Sequence, residues 1–163
     1  MREAAAVQGH RKNVLDIFQI GAFHLGVLRE AFDWVEVLQG YELSPVSEHP
    51  EQWSFQNRQS GRKGRLLDMG GYLSADPIAL NTQARAYMTT RQDFSLALLF
   101  PGSPKRIRLN ETKYTQVPQR QKVGLPEEWP TEMVRDIIKV RFRHICILDD
   151  AFLLQQIGLR HVH

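Results

Sequence analysis

Cysteine is almost absent: Cys146 is the one thiol in 163 residues. That excludes an intrachain disulfide framework and a cysteine-rich zinc site. No apolar run approaches the roughly 18–20 residues that a membrane-spanning helix needs. The opening MREAAAVQGHRKNV has no apolar core ahead of a cleavage site, which reads against a secretory signal. No G-x-x-x-x-G-K-[ST] spacing marks a P-loop, and no serine stands in a G-x-S-x-G setting. Repeats and low-complexity tracts are missing too. These absences predict a reduced, soluble, cytoplasmic protein without a membrane segment, a cofactor or a metal centre.

What is present is an ordinary globular balance, with 42% hydrophobic and 24% charged residues. At this length the chain can bury a self-sufficient core, so residues 1–163 read as one domain. The net charge of +3 conceals a strong asymmetry. Residues 13–56 carry a balance of −6, and residues 57–124 a balance of +8. Such segregation points to an anionic partner, or to an acidic part of the chain that meets the basic part internally.

The periodicity predicts α+β. Val14, Ile17/Phe18, Ala22, Leu25, Leu28, Phe32 and Val35 recur at three- and four-residue steps, so residues 12–39 read as a helix capped by Asn13 and stopped at Gly40. Residues 44–65 read as a connection with one short element near Trp53–Phe55. Ala84–Thr90, Phe94–Phe100, Arg106–Leu109 and Thr112–Val117 read as strands of an antiparallel meander, half-buried, with its bases on the wet face. Thr131 would cap a helix through EMVRDIIKVRF, although 138–148 also alternates as a strand would. A last helix, AFLLQQI, would be capped by Asp149 or Asp150 and close at Gly158.

Within the basic middle, Arg58, Arg62, Lys63 and Arg65 fall in eight residues without an acid. Lys105, Arg106 and Arg108 form a second cluster, with Lys113, Arg120 and Lys122 beyond it. Together they are the candidate contacts for a polyanion, most simply nucleic acid, with Tyr72, Tyr87 and Tyr114 available to stack on bases. Gly61-Arg62-Lys63-Gly64 matches G-x-x-G and so resembles the loop of KH domains over about seven residues. In that family the loop joins two helices and clamps single-stranded nucleic acid. Gln59 and Ser60 stand where the family has aliphatic residues, and Gly70-Gly71 stops any following helix, so the resemblance is not extended to function.

A catalytic alternative rests on Asp93 with Glu111-Thr112-Lys113, which satisfies the spacing of PD-(D/E)xK nucleases. That likeness implies two acids on a divalent metal and a lysine that positions the attacking water. Here Gln92 rather than proline precedes Asp93, and a Glu111–Lys113 surface pair explains the same residues. His10, His24 and His49 are scattered. His144 with Cys146, and His161 with His163, have alternate spacing on a strand, yet Cys146 between two isoleucines reads as a small core residue.

The apolar residues of 12–39, including Phe18, Phe23, Phe32 and Trp34, exceed one helix stripe and would suit self-association or a protein partner. The sequence therefore predicts a non-catalytic binding protein with a basic face and an apolar association helix. A metal-dependent nuclease is the alternative, and a pure assembly subunit the third reading.

Overall fold

A computed structural model describes residues 14–73, 76–78, 83–118 and 124–161, the last four as backbone. His10, Asn13, Arg120, Lys122 and His163 lie outside the described residues, as does the side chain of His161. The chain is predominantly β, and this overturns the α+β expectation. Its strands are β1 (Val14–Ile20), β2 (Phe23–Leu28), β3 (Trp34–Glu36), β4 (Glu42–Val46), β5 (His49–Gln56) and β6 (Lys63–Asp68). Then come β7 (Arg85–Arg91), β8 (Phe94–Phe100), β9 (Lys105–Arg108), β10 (Thr115–Val117), β11 (Val134–Val140) and β12 (Arg143–Leu148). Helices among the described residues are α1 (Met69–Tyr72), α2 (Asp150–His161) and a few 3-10 turns.

The strands form two mixed six-stranded sheets, β10-β11-β12-β2-β1-β9 and β3-β7-β8-β6-β5-β4. They belong to two compact units. One holds the described residues up to Ala31 together with Pro104–Asp150, the other Phe32–Ser103 together with the chain from Ala151.

The largest correction is at residues 12–39, where a β-hairpin replaces the expected helix. Gly21, at φ 61, and Ala22 make the turn, so β1 and β2 pair from Ile20↔Phe23 to Leu15↔Leu28. The left-handed backbone at Gly21 is open to a residue without a Cβ. Leu15, Ile17, Phe18 and Ile20 on β1 are all buried, because both faces of this strand are covered. A strand buried on both faces shows no clean alternation, and its apolar residues fall at helical steps by coincidence. The association helix therefore does not exist, and Phe18 and Phe32 are interior.

The same ambiguity resolves toward strand at 134–148, where β11 and β12 form a hairpin with Val140 opposite Arg143. Thr131 starts only a 3-10 turn, Thr131–Met133. Residues 44–65 are not a connection but β4, β5 and the start of β6. β7 and β8 pair as an antiparallel hairpin as expected. The meander fails on either side of them: β6 runs parallel to β8, and β9 leaves for the other sheet to pair with β1. Gly64 permits the parallel pairing, since a Cβ there would lie 1.9 Å from the Ser95 carbonyl oxygen. α2 begins at Asp150 as expected but runs through Gly158 to His161.

Each sheet curls on itself. In the first unit, Ile107 on edge strand β9 joins the cluster of Leu15, Ile17, Ile138, Ile145 and Ile147, together with Val140 from the strand next to the far edge. In the second unit, Trp34 on β3 and Leu43 on β4, the two edges, pack against one cluster around Phe55, Leu66, Met88 and Leu99. Both are open, barrel-like sheets with filled interiors.

Candidate functional site

The basic glycine loop is the turn between β5 and β6, and its backbone is occupied with itself. Asn57 N–H donates to the Arg62 carbonyl at 2.7 Å, and Gly61 N–H to the Asn57 carbonyl at 2.8 Å. Asn57 Oδ1 accepts from the N–H groups of Gln59 and Ser60 at 3.0 and 3.3 Å, and Ser60 Oγ from Arg62 N–H at 3.2 Å. Four successive N–H groups are thus committed, whereas a phosphate cradle needs them directed outward. The loop joins two strands rather than two helices, so the KH likeness ends there.

Two of its four cations are also engaged. Arg58 Nε pairs with Glu42 at 3.2 Å. The Arg62 guanidinium lies 4.4 Å from the centre of the Trp34 ring and 3.4 Å from both Glu36 Oε2 and Tyr41 Oη. Trp34 Nε1 donates to the same Glu36 oxygen. Burial, its largest influence, raises the Tyr41 phenol above its ordinary value. Because Trp34 is on edge strand β3 and Arg62 precedes β6, this cluster ties the curl of the second unit's sheet. Arg65 is half-buried, with Nε lacking a hydrogen-bond partner, and Lys63 is exposed at the start of β6.

The other predicted cations are on β9, in the first unit. Arg106 grips the carboxylate of Asp16 on neighbouring β1, with Nε to Oδ1 at 2.7 Å and Nη2 to Oδ2 at 3.0 Å. Asp16 is fully buried, so Arg106 is a structural counter-ion. Arg108 and Lys105 are exposed. Part of the acid–base asymmetry is therefore satisfied within each unit: Glu36, Glu42 and Asp16 each hold one predicted contact residue. Of the tyrosines proposed to stack on bases, Tyr87 is buried between Phe32 and Phe100, with ring centres at 5.6 and 5.5 Å. Tyr72 is half-buried, and Tyr114 is exposed.

Asp93 turns β7 into β8 in the second unit, whereas Glu111 and Lys113 lie between β9 and β10 in the first. Among the described residues, no group of three or more His, Cys, Asp or Glu side chains could hold a metal ion. His144 and Cys146 alternate on β12, but burial pushes the Cys146 thiol up to about 11, far from a ready thiolate ligand.

A further surface lies where the sequence marked no candidates as a group. At the tip of the β11–β12 hairpin, Arg141 holds a φ of 58 and Phe142 is 96% exposed. The tip overhangs a cleft of about 600 Å³ at the end of the first unit's sheet. Ile17, Ile107, Val140 and Ile145 line its interior, and Lys105, Arg141 and Arg143 its rim. A second depression, of about 590 Å³, shares Thr112 and Arg141 with the first and adds Lys113 and Lys139. Neither is lined by an acid. Among the described residues these five cations have no ion pair with a carboxylate. Burial and then the charge of Arg143 lower the His24 pKa below its ordinary value, which keeps that imidazole neutral near the rim. Lys105 and Lys113 were legible candidates, although in other roles. The signal for the rest was a phenylalanine between two arginines at a position where the chain turns.

A mostly β chain of two curled, mixed sheets is the class the architecture defines. No family model and no curated protein matches this sequence. Among solved structures, its fold is similar to the crystal structure of the scaffolding protein TtCheW from Thermoanaerobacter tengcongensis. The similarity has a TM-score of 0.61 and covers 87% of this chain and 87% of that one, at 15% sequence identity. At that identity the likeness is one of fold. No helix among the described residues is long and apolar enough to cross a membrane.

Proposed function

We propose that this chain is a non-catalytic assembly protein of the cytoplasm, which works by holding protein partners rather than by transforming a substrate. The observation that carries this reading is the fold similarity to a scaffolding protein across 87% of both chains. The open, basic-rimmed cleft beneath Phe142 supports it, because a solvated aromatic beside apolar concave surface suits protein contact. Nucleic acid is the weaker reading. Arg58, Arg62 and Arg106 already have acidic partners, and the glycine loop turns the N–H groups of Gln59, Ser60, Gly61 and Arg62 onto itself rather than toward a phosphate.

The test is affinity capture from an extract of the source organism, with nuclease treatment and quantitative mass spectrometry. A defined set of proteins should be retained in constant proportion after nuclease treatment. Recovery that disappears with the nuclease would return the protein to the nucleic-acid reading. Light scattering of the purified chain would show whether a second copy is among the partners.

A further inference from the structure

We infer that the cleft beneath Phe142 is a docking site for an acidic protein segment that inserts a bulky aliphatic side chain. The inference rests on the assembly reading and specifies the partner's chemistry. Its first ground is charge. Lys105, Arg141 and Arg143 border the cleft, and Lys113 and Lys139 border the depression continuous with it. None of the five is neutralised by a carboxylate of the described chain, unlike Arg58, Arg62 and Arg106. A surface that leaves its cations unpaired in this way attracts an anionic partner and steers its approach.

The second ground is shape. The interior of the cleft is aliphatic, and its volume of about 600 Å³ is in the range of about 300–1,000 Å³ typical of ligand pockets. Because this apolar surface is recessed within the end of a curled sheet, a flat bilayer would reach Phe142 but not Ile107 or Ile145. An aliphatic interior also offers bases no stacking platform. A partner's leucine or isoleucine fits both requirements, with Phe142 folding over it and its acidic neighbours meeting the rim.

The experiment uses the full chain and two fluorescein-labelled synthetic peptides of equal negative charge. One carries leucines among its glutamates, and the other has serine in place of each leucine. Anisotropy at physiological salt should show the leucine peptide binding at least about tenfold more tightly. Phe142→Ser, and separately Arg141→Glu with Arg143→Glu, should each weaken it by at least about tenfold, with thermal melting unchanged because these side chains are exposed. Lys63→Glu, in the other unit, should leave binding intact. Equal affinity for the two peptides would overturn the inference by removing the aliphatic contact. So would absence of binding to either peptide, displacement by single-stranded DNA at lower concentration than by unlabelled leucine peptide, or Phe142-dependent binding to anionic phospholipid vesicles alone. Partners captured equally by the Phe142→Ser chain would sink this site and leave the assembly reading standing. Peptide binding together with an empty capture would do the reverse.

Discussion

Asp68 illustrates how a single side chain fixes local geometry here. Its carboxylate is 3% exposed, and Oδ1 accepts from the N–H groups of Gly70, Gly71 and Ile78 at 2.9, 3.2 and 3.1 Å. It ends β6, caps α1 and anchors residue 78 in one stroke. Burial raises its pKa, while the three backbone donors oppose that shift. Replacement by alanine strands three N–H groups in a site that water hardly reaches. Asp68→Ala should therefore cost about 2–4 kcal/mol in denaturant unfolding. A loss below about 0.5 kcal/mol would mean that these donors find other acceptors. Gly70 and Gly71 are near neighbours of Asp68 in the sequence, but the third partner, Ile78, is set by the path of a loop ten residues away, which no local pattern reveals.

Among elements, β8 was legible and the β1–β2 hairpin was not, for related reasons. FSLALLF is a seven-residue run without polar interruption beyond Ser95, bounded by a turn and by Pro101-Gly102, and only a short buried strand accommodates it. Val14–Leu28 is twice as long, and burial on both faces of β1 erased the alternation that distinguishes strand from helix. The β5–β6 turn was misread in another way. Its bases are evident in the sequence, but their partners Glu36, Trp34 and Glu42 come from other strands. Arg62 should therefore behave as a structural residue. Arg62→Ala should lower stability by about 1 kcal/mol, the sum of a half-exposed cation–π contact and a weak ion pair. It should leave polyanion binding at low salt nearly unchanged. The converse result, normal stability with lost polyanion binding, would restore the loop as a contact site.

At the scale of the whole molecule, segment charge was a poor guide to surface charge. A balance of −6 followed by +8 suggested a basic face, yet acids of the first stretch fold back onto bases of the second within each unit. Among the cations without a carboxylate partner, Lys105, Lys113, Lys139, Arg141 and Arg143 gather at one place, although they are drawn from segments about thirty residues apart. Chain topology alone joins them, because β9 and β12 reach the same curled sheet from opposite sides of β1 and β2. That is why Lys105 was foreseen, while Arg141, Phe142 and Arg143 were not.

The interleaving of the two units also dictates an order of events at birth. β2 pairs in parallel with Ile145–Ile147, so the β1–β2 hairpin waits for more than a hundred further residues before that neighbour exists. The strands of the second unit, β3 to β8, are complete in sequence long before that. Local pairings close faster than distant ones. In pulse-labelled hydrogen exchange during refolding, the amides of β7 and β8 should gain protection before those of β2 and β12. Simultaneous protection would mean that the chain folds as one cooperative body. Sequential protection would make FHLGVL, apolar and long open along one edge, the stretch for which a nascent chain most needs a chaperone.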